Sequence, residues 1–220
     1  MAVRLSRVER REQTRQELLS AAEACFVSQG FHASSVDQVA ERAGYTKGAV
    51  YSNFASKEDL FFAVYERRVE QVLEEVVPGL RQAGAERAFD WLATGTIERR
   101  DRDDGWLAVF FEFWAHVLRH PELRERFAAI HARFLEPLAE GVRQLAQDRG
   151  LALPGDVTAS QVVLAWNAME IGLGLERLTQ PQALDGEGAR RMGWLLLDAV
   201  LGAAQPPAGN NRPKQDRSIR

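Results

Sequence analysis

Cysteine is almost missing from this chain: Cys25 stands alone among 220 residues, so no internal disulfide can staple the fold. Leu18, Ala22 and Phe26 surround it at helical spacing, which marks it as a small core residue, and an unpaired thiol suits a reducing compartment. Long apolar runs are missing too. No stretch approaches the ~18 continuous apolar residues of a membrane span, and the N-terminus lacks the apolar segment of a secretory signal. A cytoplasmic protein with no membrane partner is therefore expected. Sustained period-2 alternation is lacking, as are Asn-Gly or Asp-Gly hairpins between apolar runs, which argues against a sheet-built fold and leaves an all-α one. Charge of one sign is not in excess either: 28 Lys plus Arg face 31 Asp plus Glu, for a net charge of -3, so bulk electrostatics give no hint of a nucleic-acid partner.

What is present is an ordinary globular composition, 45% apolar and 27% charged, in a chain long enough for one large domain or a small one fused to a medium one. The first fifteen residues carry Arg4, Arg7, Arg10, Arg11 and Arg15 against Glu9 and Glu12. That local positive excess reads equally as a phosphate-binding arm or as a solvated leader. The first helix is expected from about Val8 to Gln29, stopped by Gly30. Ser35-x-x-Gln38 reads as a capping box for a short second helix whose apolar face is Val36, Val39, Ala40 and Ala43, ended by Gly44. Thr46 can cap a third helix with Val50 and Phe54 at i and i+4, and Ser56-x-x-Asp59 a fourth reaching Val77 before Pro78-Gly79. Longer helices follow, with breaks at Asp101 to Gly105, His120-Pro121, Gly150 to Gly155 and Pro181 to Gly188, which leaves room for about nine helices in all.

A short helix, a glycine turn and a second short helix is the layout of a helix-turn-helix. With Val50 and Phe54 facing the core, the 100° step places Gly48 and Ser52 opposite, Ala49 and Tyr51 on the flanks and Lys47 at the helix entrance. Lys47 and Lys57 offer charge to phosphates, Tyr51 a hydroxyl on a rigid ring, and Gly48 and Ala49 allow close approach to base edges. Each residue alone would pass as ordinary surface. Together, Gly30-Phe31-His32-Ala33-Ser34-Ser35-Val36, then Val39 to Phe54 (VAERAGYTKGAVYSNF), then Ser56-Lys57-Glu58-Asp59-Leu60, closely resemble the DNA-binding signature of the TetR family over roughly residues 10 to 65.

The resemblance implies that Ser35 caps the second helix and touches a phosphate, that Thr46 caps the recognition helix, that Lys47 and Gly48 reach the bases, and that Tyr51 and Lys57 clamp phosphates. Arg10, Arg11, Tyr45, Ala49 and Ser52 complete the expected DNA-facing set. Ser52-Asn53 and Tyr45 depart from the commoner choices in that family, which leaves the operator sequence open. The implied architecture is an N-terminal three-helix DNA-binding domain over residues 1–55, a helical ligand-binding and dimerisation domain over 56–204, and a disordered tail over 205–220.

The last two helices are apolar on nearly every face. Val162, Val163, Trp166, Met169, Ile171, Leu173, Leu175 and Leu178 crowd one, Met192, Trp194, Leu195, Leu196, Leu197, Val200 and Leu201 the other. Ala165, Ala168, Gly172 and Gly174 permit close packing, so a two-fold four-helix homodimer interface is expected ahead of a monomer with two enclosed helices. Aromatics crowd the middle of the chain, where an aromatic stripe is core as a rule and pocket lining in places. Trp91, Trp106, Phe110, Phe113, Trp114, His131, Phe134, Trp166, Met169 and Glu170 are the candidates to line a site for a small apolar or aromatic effector, with Glu112, His116 and Asn167 as further polar contacts. Glu112, His116 and His120 share i+4 spacing, yet no cysteine or Asp cluster supports a metal site, and no cofactor is expected. No nucleophile–base pair, phosphate loop or HExxH motif suggests an enzyme. The expected function is a ligand-responsive repressor that binds a palindromic double-stranded DNA operator as a dimer. An activator of the same fold, or a helical-bundle carrier or enzyme, are the alternatives.

Overall fold

The computed structural model of the protein describes residues 6–75, 77, 78, 104–148, 150, 152, 153, 155–180, 182, 187, 188, 191, 192, 195 and 199. Among them run seven helices: α1 (Arg7–Gln29), α2 (Val36–Ala43), α3 (Lys47–Tyr51), α4 (residues 57–75), α5 (Asp104–Arg119), α6 (Pro121–Asp148) and α7 (Ala159–Thr179). A bridge residue, Ala152, is the sole β feature among the described residues, so the all-α expectation holds. Trp91, Trp194 and the tail from residue 205 lie outside the described residues.

Local chemistry sets most of the helix ends. Ser35 Oγ accepts the Gln38 amide at 3.2 Å and Gln38 Oε1 accepts the Ser35 amide at 2.8 Å, the reciprocal box read from the sequence. Thr46 Oγ1 accepts from Ala49 N at 3.2 Å, and Ser56 Oγ from Asp59 N at 3.1 Å. Helix α1 starts at Arg7, one residue before the expected point, because Ser6 and Glu9 form a further box. Gly44 closes α2 at φ 75°, the left-handed conformation that a side chain would strain. Gly105 corrects an expectation: it lies inside α5 instead of breaking the chain before it. A Cβ there would sit 2.6 Å from Val27 Cγ1, so its bare backbone lets α5 approach α1.

Helix α4 is the centre of the fold. Leu60, Phe61, Phe62, Ala63, Val64 and Tyr65 are six consecutive buried residues, which covers more than a full turn and leaves that stretch no solvent face. Val39, Val50 and Phe54 of the N-terminal unit, Phe61 of α4, Phe113 of α5 and Phe127 of α6 therefore belong to one continuous core. The core runs unbroken across the domain boundary expected at residues 55 and 56. Phe61 stacks on Phe113 at 4.0 Å between ring centroids, and Phe31 meets both rings edge-on at 5.5 and 4.9 Å. A second, smaller core joins Leu138, Ala139 and Val142 of α6 to Val162, Val163 and Trp166 of α7.

A polar link spans the seam from α4 to α7. Tyr65 Oη lies 3.0 Å from His131 Nδ1, and His131 Nε2 lies 3.3 Å from Asn167 Nδ2. With the Asn167 amide donating to Nε2, the ring proton sits on Nδ1 and is donated to Tyr65 Oη. Burial lowers the His131 pKa below its ordinary value and raises that of the Tyr65 phenol, so both groups are held neutral.

Two outcomes follow for stability. Phe113→Ala removes a fully buried ring packed between α4, α5 and the α1–α2 turn and should cost about 3–5 kcal/mol, read from urea unfolding. Because native His131 resists a proton that the unfolded chain accepts near pH 6.5, its share of stability is present above that pH and is lost as pH falls through it. The urea midpoint should drop between about pH 7.5 and 5.5, and His131→Gln should flatten that drop.

Candidate nucleic-acid interface

The N-terminal unit presents one face of α3 to solvent because the other is anchored. Val50 and Phe54 are 1% and 2% exposed, as their spacing predicts, and turn their neighbours outward. Tyr51 is 49% exposed, and Thr46, Lys47, Gly48 and Ser52 are exposed beside it, while Ala49 is half-buried. A Cβ on Gly48 would meet nothing closer than Thr46 Oγ1 at 3.8 Å, so the surface over the α3 entrance is open. Ser52 Oγ and Asn53 Nδ2 both donate to the Ala49 carbonyl at 2.8 Å, which satisfies the end of this very short helix. Arg10 and Arg11 are exposed along α1, and Ser35 is half-buried at its cap.

Lys47 is paired with a residue that the sequence reading passed over. Its ammonium donates to Asp37 Oδ2 at 2.9 Å, from the entrance of α3 to the first turn of α2, and that bond raises its pKa. Both side chains are more than half exposed, so the pair is easily exchanged for a partner in solution.

Two expected DNA contacts are placed otherwise. Lys57 donates to the carbonyls of Phe31, His32 and Ser34 at 3.0, 3.3 and 3.1 Å, with its ammonium 4.5 Å from the centroid of the Phe31 ring. Those three acceptors match the three N–H donors of an ammonium, so Lys57 braces the α1–α2 turn instead of reaching outward. The Tyr45 hydroxyl is hydrogen-bonded to Glu17 and lies 3.4 Å from Thr14 Oγ1, which pins the α2–α3 turn to α1. Glu17 is held below the usual carboxylate range by that phenol.

The candidate effector residues divide into two groups. Phe110, Trp114 and His131 are together, with Trp114 5.5 Å from Phe110 and 5.8 Å from His131. Phe134 packs against both cores, and Trp166, Met169 and the buried Glu170 stand across the seam on α7, next to Asn167. Trp106 meets this group through Phe110 at 6.4 Å and also stacks on Phe61 at 5.4 Å beneath the Arg68 guanidinium, whereas Phe113 faces Phe31. Glu112 and His116 also face the N-terminal unit. Glu112 accepts the amides of Phe31 and His32, and His116 lies 3.6 Å from Glu58 with its pKa lowered by burial and by His120. Among the described residues no group of His, Cys, Asp or Glu is arranged to hold a metal ion, and no helix is long and apolar enough to cross a membrane.

Comparison with known proteins places this geometry. Residues 18–64 match the family model described as "Bacterial regulatory proteins, tetR family", and residues 82–202 match "BetI-type transcriptional repressor, C-terminal". The chain is 40% identical over 106 residues to the HTH-type transcriptional activator FasR of Mycolicibacterium smegmatis, a stretch covering 48% of this chain and 42% of that protein. It is 28% identical over 114 residues to the HTH-type transcriptional repressor AcnR of Corynebacterium efficiens, covering 52% and 56%. The chain thus spans about half the length of these curated relatives. A crystal structure of FadR from Bacillus subtilis in complex with stearoyl-CoA shares the fold, with a TM-score of 0.66 at 15% identity over 86% of this chain and 99% of that one. With one model on the helix-turn-helix and another on more than half of the 220 residues, this protein belongs to the TetR family of bacterial regulatory proteins.

Proposed function

We propose that the protein is a transcription regulator whose homodimer grips a palindromic DNA operator and responds to a small apolar or aromatic effector. The observation that carries this reading is the anchored α3, with Val50 and Phe54 turned inward and Thr46, Lys47, Gly48, Tyr51 and Ser52 exposed on the opposite side. Lys47, Gly48 and Ala49 face the bases, while Tyr51, Ser35, Thr46, Ser52, Arg10 and Arg11 meet the backbone. Tyr45 and Lys57 serve by positioning the two turns that carry these residues.

The outer side of α7 supports the dimer. Gln161, Leu164, Ala165, Ala168, Gly172 and Leu175 recur every three or four residues and are exposed in the single chain, with Leu164 at 51% and Leu175 at 41%. Met192 and Leu195 are exposed as well, at 41% and 62%. One side of α7 is buried on α6 and the other is open, which favours the homodimer over a monomer that encloses the helix. An apolar stripe with small residues at its middle suits a second copy of itself packed closely across a two-fold axis. That pairing puts two α3 helices about 34 Å apart, one turn of DNA. The effector reading rests on Phe110, Trp114, His131 and Phe134 facing Trp166, Asn167, Met169 and Glu170, an apolar lining with a few polar groups. Repression is the sign the C-terminal family match favours, and the resemblance to an activator over 48% of the chain supplies the second reading.

Fluorescence anisotropy with DNA from upstream of the protein's own gene, against scrambled DNA over a salt series, tests the reading. Specific binding should exceed non-specific binding by ~10³ or more and weaken as salt rises. Tyr51→Ala should lower operator affinity at least tenfold while the molar mass in light scattering stays that of a dimer. Ala168→Glu places a charge on the open side of α7. It should leave the helical circular-dichroism signal unchanged and halve the molar mass, and a variant that stays dimeric would move the interface elsewhere.

A further inference from the structure

The turn between α1 and α2 is the only covalent link between those helices, and it runs directly into the Ser35 cap of α2. Its main chain is gripped from both sides by ionised side chains of the larger domain. Glu112, in the middle of α5, takes the Phe31 amide on Oε2 and the His32 amide on Oε1, each at 2.8 Å. Lys57, in the first turn of α4, takes the carbonyls of Phe31, His32 and Ser34. The buried Ser34 hydroxyl closes the turn on itself: its one proton is donated to the Gly30 carbonyl at 2.7 Å, with the Cys25 carbonyl 3.1 Å away. Gly30 is cut to fit: at φ 85°, a Cβ would stand 2.6 Å from Glu112 Oε2. A carboxylate that binds two consecutive amides, one on each oxygen, fixes both the position and the tilt of the segment it holds, which a ring packed in an apolar contact does less strictly.

From this arrangement we infer that Glu112 is a positioning residue for DNA recognition: through the Phe31 and His32 amides it sets where the α2–α3 unit stands relative to α5, and hence the spacing of the two reading helices in the dimer. The inference rests on the regulator reading above and names the residue through which the larger domain imposes that spacing. Glu112 acts through main chain, since both of its oxygens are taken by the amides of the turn. Its bonds hold a segment of main chain whose next ordered element is α2, and α2 packs on α3. A shift of α5 therefore displaces the reading helix without any change inside it.

The test uses the full chain and the operator that the wild-type protein selects from a pool of random duplex DNA. Synthetic copies of that operator carry the selected half-site spacing, or one base pair more or less, which rotates one half-site by about 35° and moves it by about 3.4 Å. The wild-type protein should bind the native spacing at least tenfold more tightly than either altered one. Glu112→Gln, which keeps shape but loses one acceptor and the charge, should bring the three affinities within threefold of each other. Glu112→Asp, with the charge kept on a shorter arm, should lie between. Faster amide exchange in the peptide holding Phe31 and His32, at an unchanged unfolding midpoint, reports loss of the latch in a folded protein. A Glu112→Gln protein that binds all three operators more weakly but keeps the wild-type ratio overturns the inference while leaving the regulator reading intact. Selection of no sequence by the wild-type protein overturns that reading and the inference together.

Discussion

A helix with six consecutive side chains out of water has to be surrounded, and that requirement on α4 organises everything else described here. Leu60 to Tyr65 can be covered only if α1 and the α1–α2 turn close on one side and α5 and α6 on the other. The helix-turn-helix is consequently no appendage on a linker. Phe31, Phe61 and Phe113 meet at the point where the two functional parts join, in a close-packed cluster that transmits displacement instead of absorbing it. Ion pairs reinforce the same junction: the Glu23 carboxylate of α1 receives Arg67 and Arg68 of α4, and Asp59 of α4 receives Arg126 of α6 at 2.6 Å.

The polar groups are divided along the length of the molecule. Near the DNA-facing end they hold main chain, as Lys57, Tyr45 and Glu112 do. Deeper in, the Tyr65–His131–Asn167 relay crosses from α4 through α6 to α7, with burial holding the phenol and the imidazole neutral.

Which parts of this were legible in the sequence follows from the range of the contacts involved. Caps at Ser35, Thr46 and Ser56 act over three residues, and the Val50–Phe54 face over four, so spacing alone identifies them. The helix-turn-helix is a string of such short-range signals, and it was readable almost completely. Glu112 reaches amides 80 and 81 residues away, Lys57 a carbonyl 26 away and Tyr45 a carboxylate 28 away. Nothing in their local sequence separates a lysine that braces a turn from one that meets a phosphate. Gly105 misled for a related reason, because a glycine required by a neighbouring helix is spelled like one that ends its own. Among the aromatics, Phe113 and Trp114 are neighbours on α5, and only the placement of the other helices shows that Phe113 faces the junction and Trp114 the seam, with Trp106 touching both Phe61 and Phe110.

On the proposed reading, the Lys47–Asp37 pair changes what α3 brings to DNA. A free surface lysine that lands on a phosphate sets a condensed cation loose, and the gain in entropy is the usual source of affinity. Lys47, which the proposed reading sets against the bases, is already paired with Asp37 and so adds little of that sequence-blind attachment. Its value lies in the direction it gives α3 more than in the strength of attachment. A regulator that must find one site among very many is served by such restraint, because a head that clings weakly to arbitrary phosphates is quicker to leave the wrong place.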